Sequence, residues 1–396
     1  MNRSYWFLVF AQWFNAFADN AVFFALVGLA GERGVLEPDQ YMSGVQTAFL
    51  AAYILLAPVV GTLSDRSSRK RIIQLGVLLK MAGVLLLFSG IPVPLCYAIF
   101  GAGAVVYSPA KYGMLNDLIQ DGQTLLRGNG ILEGLSILAI MVGSITGGIL
   151  ADHSSTWGLF GTAMVLILSL LFSFGLPKIE GKKTITYAIG ISNFFADIKT
   201  LFSNPLTRFA LLGNSSFWMS ATLMRIAYLT WLPVVLGITD KAGQATLLAA
   251  SAVGVIGGAM LAPVIIKIGN VEKAIPFAYI SALLIMLSPW VNGTIPVVGV
   301  LFMIGLLGGL FVVPMNTLLQ SEGKKHIGVG RTVAIQNMME NVFMLSGLAV
   351  FQFLAWVGVS LNVRMMFGGA AMAIIVFTIG ILVRRKKTFK VDVLGG

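Results

Sequence analysis

Twelve apolar runs occupy most of this sequence, at roughly 5–31, 42–63, 72–90, 93–115, 128–151, 157–176, 205–232, 244–266, 274–291, 295–318, 331–356 and 362–383. A helix needs ~20 apolar residues to cross a hydrocarbon core. In lipid only helices and closed barrels satisfy every backbone polar group. Runs of this length therefore predict a bundle of twelve transmembrane helices. Charged residues make up only 11% of the chain, less than half the share of about 25% usual for a soluble domain.

An even number of spans puts both termini on one side, and the distribution of cations selects the side. With the termini inside, the outer connections hold only Arg33, Lys241 and Arg364, and Lys80, Lys111 and Arg225 fall within runs. The rest of the 27 Lys and Arg lie in inner segments or at the inner ends of runs. The sequence thus predicts a multi-pass protein with both termini cytoplasmic. The net charge of +11 is then a topology signal. Cations spread over short loops without interleaved aromatics argue against a nucleic-acid surface. Arg3 followed by an apolar stretch and Ala16-Phe17-Ala18 has the outline of a cleaved signal, but the apolar run resumes at once, so a retained first span is expected. Cys96 is the single cysteine, which excludes an internal disulfide. No metal site or cofactor is expected, no nucleotide-binding glycine loop is present, and an enzyme is the weakest class.

The one long connection, Pro177–Asn204, bears several Lys and a candidate amphipathic helix at Ile191–Phe202. It separates an expected six-helix bundle at 1–176 from a second bundle and basic tail at 205–396. Gly101 to Gly113, with Pro109, matches Gly305 to Asn316, with Pro314; Gly130 to Gly134, with Glu133, matches Asn337 to Asn341, with Glu340. Both matches recur at an offset of about 205 residues. Two six-helix bundles related by pseudo-twofold symmetry are the layout of facilitator-type secondary transporters. The loop Gly61-Thr62-Leu63-Ser64-Asp65-Arg66-Ser67-Ser68-Arg69-Lys70-Arg71 resembles the loop signature of the major facilitator superfamily. That resemblance implies a structural task for Gly61, Asp65, Arg66 and Arg69: holding the cytoplasmic ends of the two halves together in one state.

Polar residues inside the runs define a candidate site. Gln12, Asn15 and Asp19 recur at three- and four-residue spacing and share one helix face, with Asn20 next in sequence. A charge at mid-span costs roughly 3 kcal/mol on insertion scales, so it needs a polar cavity or a cation. Asp19 lies ~20 Å and Arg225 roughly 25–30 Å from their inner helix ends. Their runs are symmetry partners, which makes an Asp19–Arg225 gating pair the expectation, set against pairing of each charge within its own half. Lys111 follows Tyr107-Ser108-Pro109, and its counterpart Asn316 is neutral. Either Lys111 meets an anionic group or it reaches the headgroup layer. Glu133 and Glu340 can bind a cation or carry protons, but their depth favours bracing Arg66, Arg69 or Arg331. Lys80 reads as structural.

Several blocks carry a closer resemblance. Phe17-Ala18-Asp19-Asn20, Ala51 to Gly61, Tyr107 to Gly113, Trp231 to Asp240, Gly309 to Asn316 and Gly323 to Asn341 are similar to the bacterial lysophospholipid transporter family. The resemblance spans nearly the whole chain. It implies a flippase of the bacterial inner membrane that moves lysophosphatidylethanolamine and lysophosphatidylglycerol inward by alternating access. A cytoplasmic acyltransferase/acyl-carrier-protein synthetase partner would then restore the second chain. It also implies functional roles for Asp19, Lys111 and Arg225. Ala18 and Met224 depart from the family pattern without touching a charge. The protein is expected to be a monomer. The competing expectation is a proton-coupled drug or metabolite transporter with Asp19 or Glu133 as the protonated group.

Overall fold

The computed structural model describes residues 2–119, 122–180, 187–266, 268–327 and 329–385. The fold is helical, with no strand among the described residues. Six helices precede the connection: α1 (Arg3–Glu32), α2 (Pro38–Arg66), α3 (Arg69–Leu86), α4 (Val93–Leu118), α5 (Gly122–His153) and α6 (Ser155–Ser173). The connection holds α7 (Tyr187–Ser203). Six more follow: α8 (Pro205–Trp231), α9 (Lys241–Ile265), α10 (Ile275–Leu287), α11 (Thr294–His326), α12 (Val329–Trp356) and α13 (Leu361–Arg385).

Eleven of the described helices are long and apolar enough to cross a membrane. The twelfth, α3, has only 18 residues and carries Arg69, Lys70, Arg71 and Lys80, a composition that lowers its hydropathy. At 1.5 Å per residue it still extends ~27 Å, and it packs against α4 and α6 as a full member of its bundle. The expected run 274–291 is interrupted. Helix α10 covers 13 residues, and 3-10 turns at Ile268–Ala274 and Ser288–Trp290 extend it at both ends. Pro276 and Pro289 stand at these junctions, where a ring without a backbone N–H fits a helix start. Arg364, counted from sequence in an outer connection, stands in the first turn of α13, buried against the ring of Phe351.

The chain divides into two compact units, Met1–Phe194 with Thr239–Thr246, and Phe195–Ile238 with Leu247–Gly396. In the first, α1 is the central helix and packs on α5 and α6, while α4 packs on α2 and α3. In the second, α8 holds the matching place against α12, α13 and α11. Close approach depends on small residues, as expected where lipid supplies no hydrophobic drive between helices. A Cβ on Gly147 of α5 would stand 2.6 Å from the Ala21 Cα on α1. In the second unit, Gly254 and Gly258 of α9 lie against the Phe302 and Leu306 carbonyls of α11.

Polar contacts lock the helix ends. Glu32 accepts from the Ser155 backbone N–H at 2.6 Å, joining α1 to α6. Ser169 Oγ donates to the Ala11 carbonyl at 2.8 Å, and Tyr5 to the Gly128 carbonyl at 3.0 Å. Large apolar side chains such as Leu55, Leu85, Phe174, Val264 and Phe377 remain exposed, as a lipid-facing surface requires.

Replacing Gly147 with Val should therefore lower the stability of the detergent-solubilised protein by ~1–3 kcal/mol through overpacking. Gly134→Ala, at a position with nothing within 4 Å, should leave the thermal melting curve unchanged.

Candidate functional site

Helix α1 presents Asn15 and Asp19 one turn apart, and α3 delivers Lys80 to both. The Lys80 ammonium donates to Asp19 Oδ1 at 2.5 Å and to Asn15 Oδ1 at 3.0 Å. Lys80 is 0% exposed, whereas the Asp19 side chain keeps 30% of its surface open. The ammonium also lies 5.4 Å from the Phe100 ring centre and 5.6 Å from that of Tyr107, both on α4. Such aromatic faces stabilise a desolvated cation by up to ~2 kcal/mol. Gly103 makes this approach possible, since a Cβ there would stand 2.8 Å from Lys80 Cγ. The sequence favours Arg225 over a partner in the same half for Asp19 and reads Lys80 as structural. In the structure, Lys80 is the cation that pairs with Asp19. The signal was present in the sequence, because Lys80 is a lone cation inside an apolar run, as Asp19 is a lone anion.

Other expected residues of the first unit surround this pair. Lys111 is buried on α4 with its ammonium 4.1 Å from the Tyr112 ring centre, and its charge acts on both Asp19 and Lys80. Asn20 donates to the Ala16 carbonyl of its own helix at 3.0 Å. Gln12 reaches Ser136 Oγ of α5 at 3.0 Å. The Tyr107 hydroxyl, unremarked in the sequence, is buried without a hydrogen-bond partner. The side chains of Asp65 and Glu133, and the Gly61 position, lie outside the described residues. Arg66 is exposed at the last turn of α2. Arg69 pairs with Asp117 at 3.2 Å and donates to the carbonyl and hydroxyl of Ser64 at 3.0 Å, tying the ends of α2, α3 and α4.

The second unit builds a different polar cluster, on α8, α11 and α12. Asn214 of α8 is 0% exposed. Its amide nitrogen donates to Asn316 Oδ1 of α11 at 2.9 Å and to the Glu340 carboxylate of α12. Gln336, one turn before Glu340, donates to the same two oxygens at 2.7 and 2.8 Å. The expectation that Glu340 braces Arg331 is overturned, because Arg331 pairs with Asp197 of α7 at 2.9 Å and Glu340 is held by amides. Asn214 went unremarked although it is a polar residue inside an apolar run. Arg225 lies half-buried on α8, eleven residues beyond Asn214, or ~16 Å along the axis.

Two helical units, each with a polar cluster among its apolar helices, define a multi-pass membrane transporter of the facilitator type. The profile described as Major Facilitator Superfamily matches residues 8–348, and the chain belongs to that superfamily. It is 35% identical over 366 residues to the lysophospholipid transporter LplT of Yersinia pestis (strain Pestoides F), an alignment covering 90% of this chain and 88% of that protein. The protein of the same name from Yersinia pseudotuberculosis serotype O:3 (strain YPIII) matches with the same identity and coverage. Among solved structures, the nucleoside transporter NupG superposes with a TM-score of 0.72 at 11% identity, over 97% of this chain and 100% of NupG. A mutant form of NupG gives 0.74 at 12%. At that identity the likeness concerns the fold alone.

Removing one member of a buried ion pair strands the other, at a cost toward the lower end of ~3–5 kcal/mol when one partner keeps some exposure. Asp19→Asn should thus destabilise the protein more than the Asp19→Asn/Lys80→Met double variant. Thermal unfolding in a double-mutant cycle reads the coupling.

Proposed function

We propose that this protein transports lysophospholipids across a bacterial inner membrane, inward, by alternating access between its two units. The observation that carries this reading is the 35% identity, over 90% of the chain, to transporters named for that substrate. The site chemistry supports it. A lysolipid brings a phosphate, sometimes with an ammonium, on a single acyl chain. Lys111 or Arg225 supplies a cation for charge-assisted hydrogen bonds to the phosphate. Asp19, with part of its surface open, balances an ethanolamine ammonium. Lys80 holds that carboxylate in place when no headgroup is present. The reading also assigns Asn15, Asn20 and Glu133 in the first unit, and Asn316 and Glu340 in the second, to the polar residues of the transport path.

In this reading both termini are cytoplasmic and the chain acts as a monomer. Gly61, Asp65, Arg66 and Arg69 hold the cytoplasmic helix ends, and the delivered lysolipid passes to a cytoplasmic acyltransferase that restores its second chain. No chemical step is required of the transporter itself.

Transbilayer movement of labelled lysophosphatidylethanolamine in proteoliposomes tests the proposal. Accelerated movement without a proton gradient is expected, with Asp19→Ala and Arg225→Ala each abolishing it while the protein stays in the membrane. Lys111→Ala should slow phosphate-bearing substrates most. Movement that requires a proton gradient would favour proton coupling through Asp19 or Glu133. No movement in either condition would favour a drug or metabolite as substrate.

A further inference from the structure

We propose that the Asn214–Asn316–Gln336–Glu340 cluster of the second unit is a binding site for a monovalent alkali cation. Four hydrogen bonds link these side chains in a ring. Two amide nitrogens donate, and only two oxygens, Asn316 Oδ1 and Glu340 Oε1, accept. The other oxygens of the donating amides, Asn214 Oδ1 and Gln336 Oε1, are buried and have no hydrogen-bond partner. Asn214 is 0% and Gln336 7% exposed. An unsatisfied buried polar atom costs ~1–3 kcal/mol, so two at one place call for an occupant. No cation pairs with Glu340 among the described residues, which leaves the carboxylate charge opposed only by amide dipoles.

Turning the two amides about their terminal bonds exchanges each nitrogen for its oxygen. Asn214 Oδ1 and Gln336 Oε1 then join Asn316 Oδ1 and Glu340 Oε1 on the inner side of the ring, and the two nitrogens take the buried outward positions that the unpartnered oxygens hold. Hard cations take oxygen ligands of this kind, carboxylate and side-chain carbonyl together. A single carboxylate matches a single positive charge. A proton on Glu340 neutralises the carboxylate but supplies a single donor, whereas a cation neutralises it and is met by all four oxygens. The cluster joins α8, α11 and α12, so an ion there cross-links three helices of the unit. The inference does not depend on the identity of the transported substrate.

The experiment is thermal unfolding of the full-length protein in detergent at fixed pH and ionic strength, with NaCl replacing choline chloride and no lipid substrate added. Saturating Na+ should raise the melting temperature by a few degrees, as expected for a ligand bound only by the folded state. The shift should vanish in Glu340→Gln, which keeps the side-chain shape. Asn316→Ser should raise the half-maximal Na+ concentration severalfold. No shift in the wild type overturns the proposal, as does an equal shift in Glu340→Gln. Stabilisation by ethanolamine or by acidification that Na+ does not reproduce overturns it too, assigning the cluster to a headgroup or a proton. Because no transport is measured, failure here leaves the lysolipid reading untouched, and failure of lysolipid transport leaves the cation site untouched.

Discussion

An ammonium sealed inside an apolar bundle persists only if anionic and polar groups come to meet it, and Lys80 imposes that condition on the first unit. Its charge is met by the Asp19 carboxylate and the Asn15 carbonyl oxygen. Both belong to α1, the helix around which the unit packs. The requirement fixes the rotation of α1 about its axis and the depth of α3 against it. The aromatic walls from α4 complete the enclosure, and Gly103 brings α4 close enough to supply them. A helix too charged to cross a membrane on composition alone becomes a regular member of the bundle through this contact.

The second unit meets the same physical problem with different residues. Where the first unit places Lys111, the second has the neutral Asn316, and amides rather than a cation surround the Glu340 carboxylate. The repeat in the sequence therefore preserves helix packing while the two polar clusters diverge. One cluster is a charge pair with a partly open carboxylate. The other is a ring of amides around an acid.

Much of this was legible in the sequence. Apolar run length defined the spans, and the spacing of Asn15 and Asp19 placed them on one face. Arg69 is an intermediate case. Its loop marked it as structural, while its partner Asp117, 48 positions away, could not be read from local pattern. The 13-residue α10 shows the limit from the other side. Hydropathy reports a continuous run, whereas the chain breaks regular helix at both ends near proline.

The sequence by itself determined the number of apolar segments, the internal repeat and the identity of the costly intramembrane charges. All are local in the chain or periodic along it, and the absence of water in a bilayer converts them directly into helices. Only the tertiary structure decided which charges meet. Lys80 and Asp19 stand 61 positions apart, and Asn214 and Glu340 stand 126 apart. Pairing at such separations depends on helix rotation and register, which interhelical packing of small residues sets at the scale of a few ångströms. A carboxylate in an apolar run announces that it needs a partner, and the packed helices choose the partner.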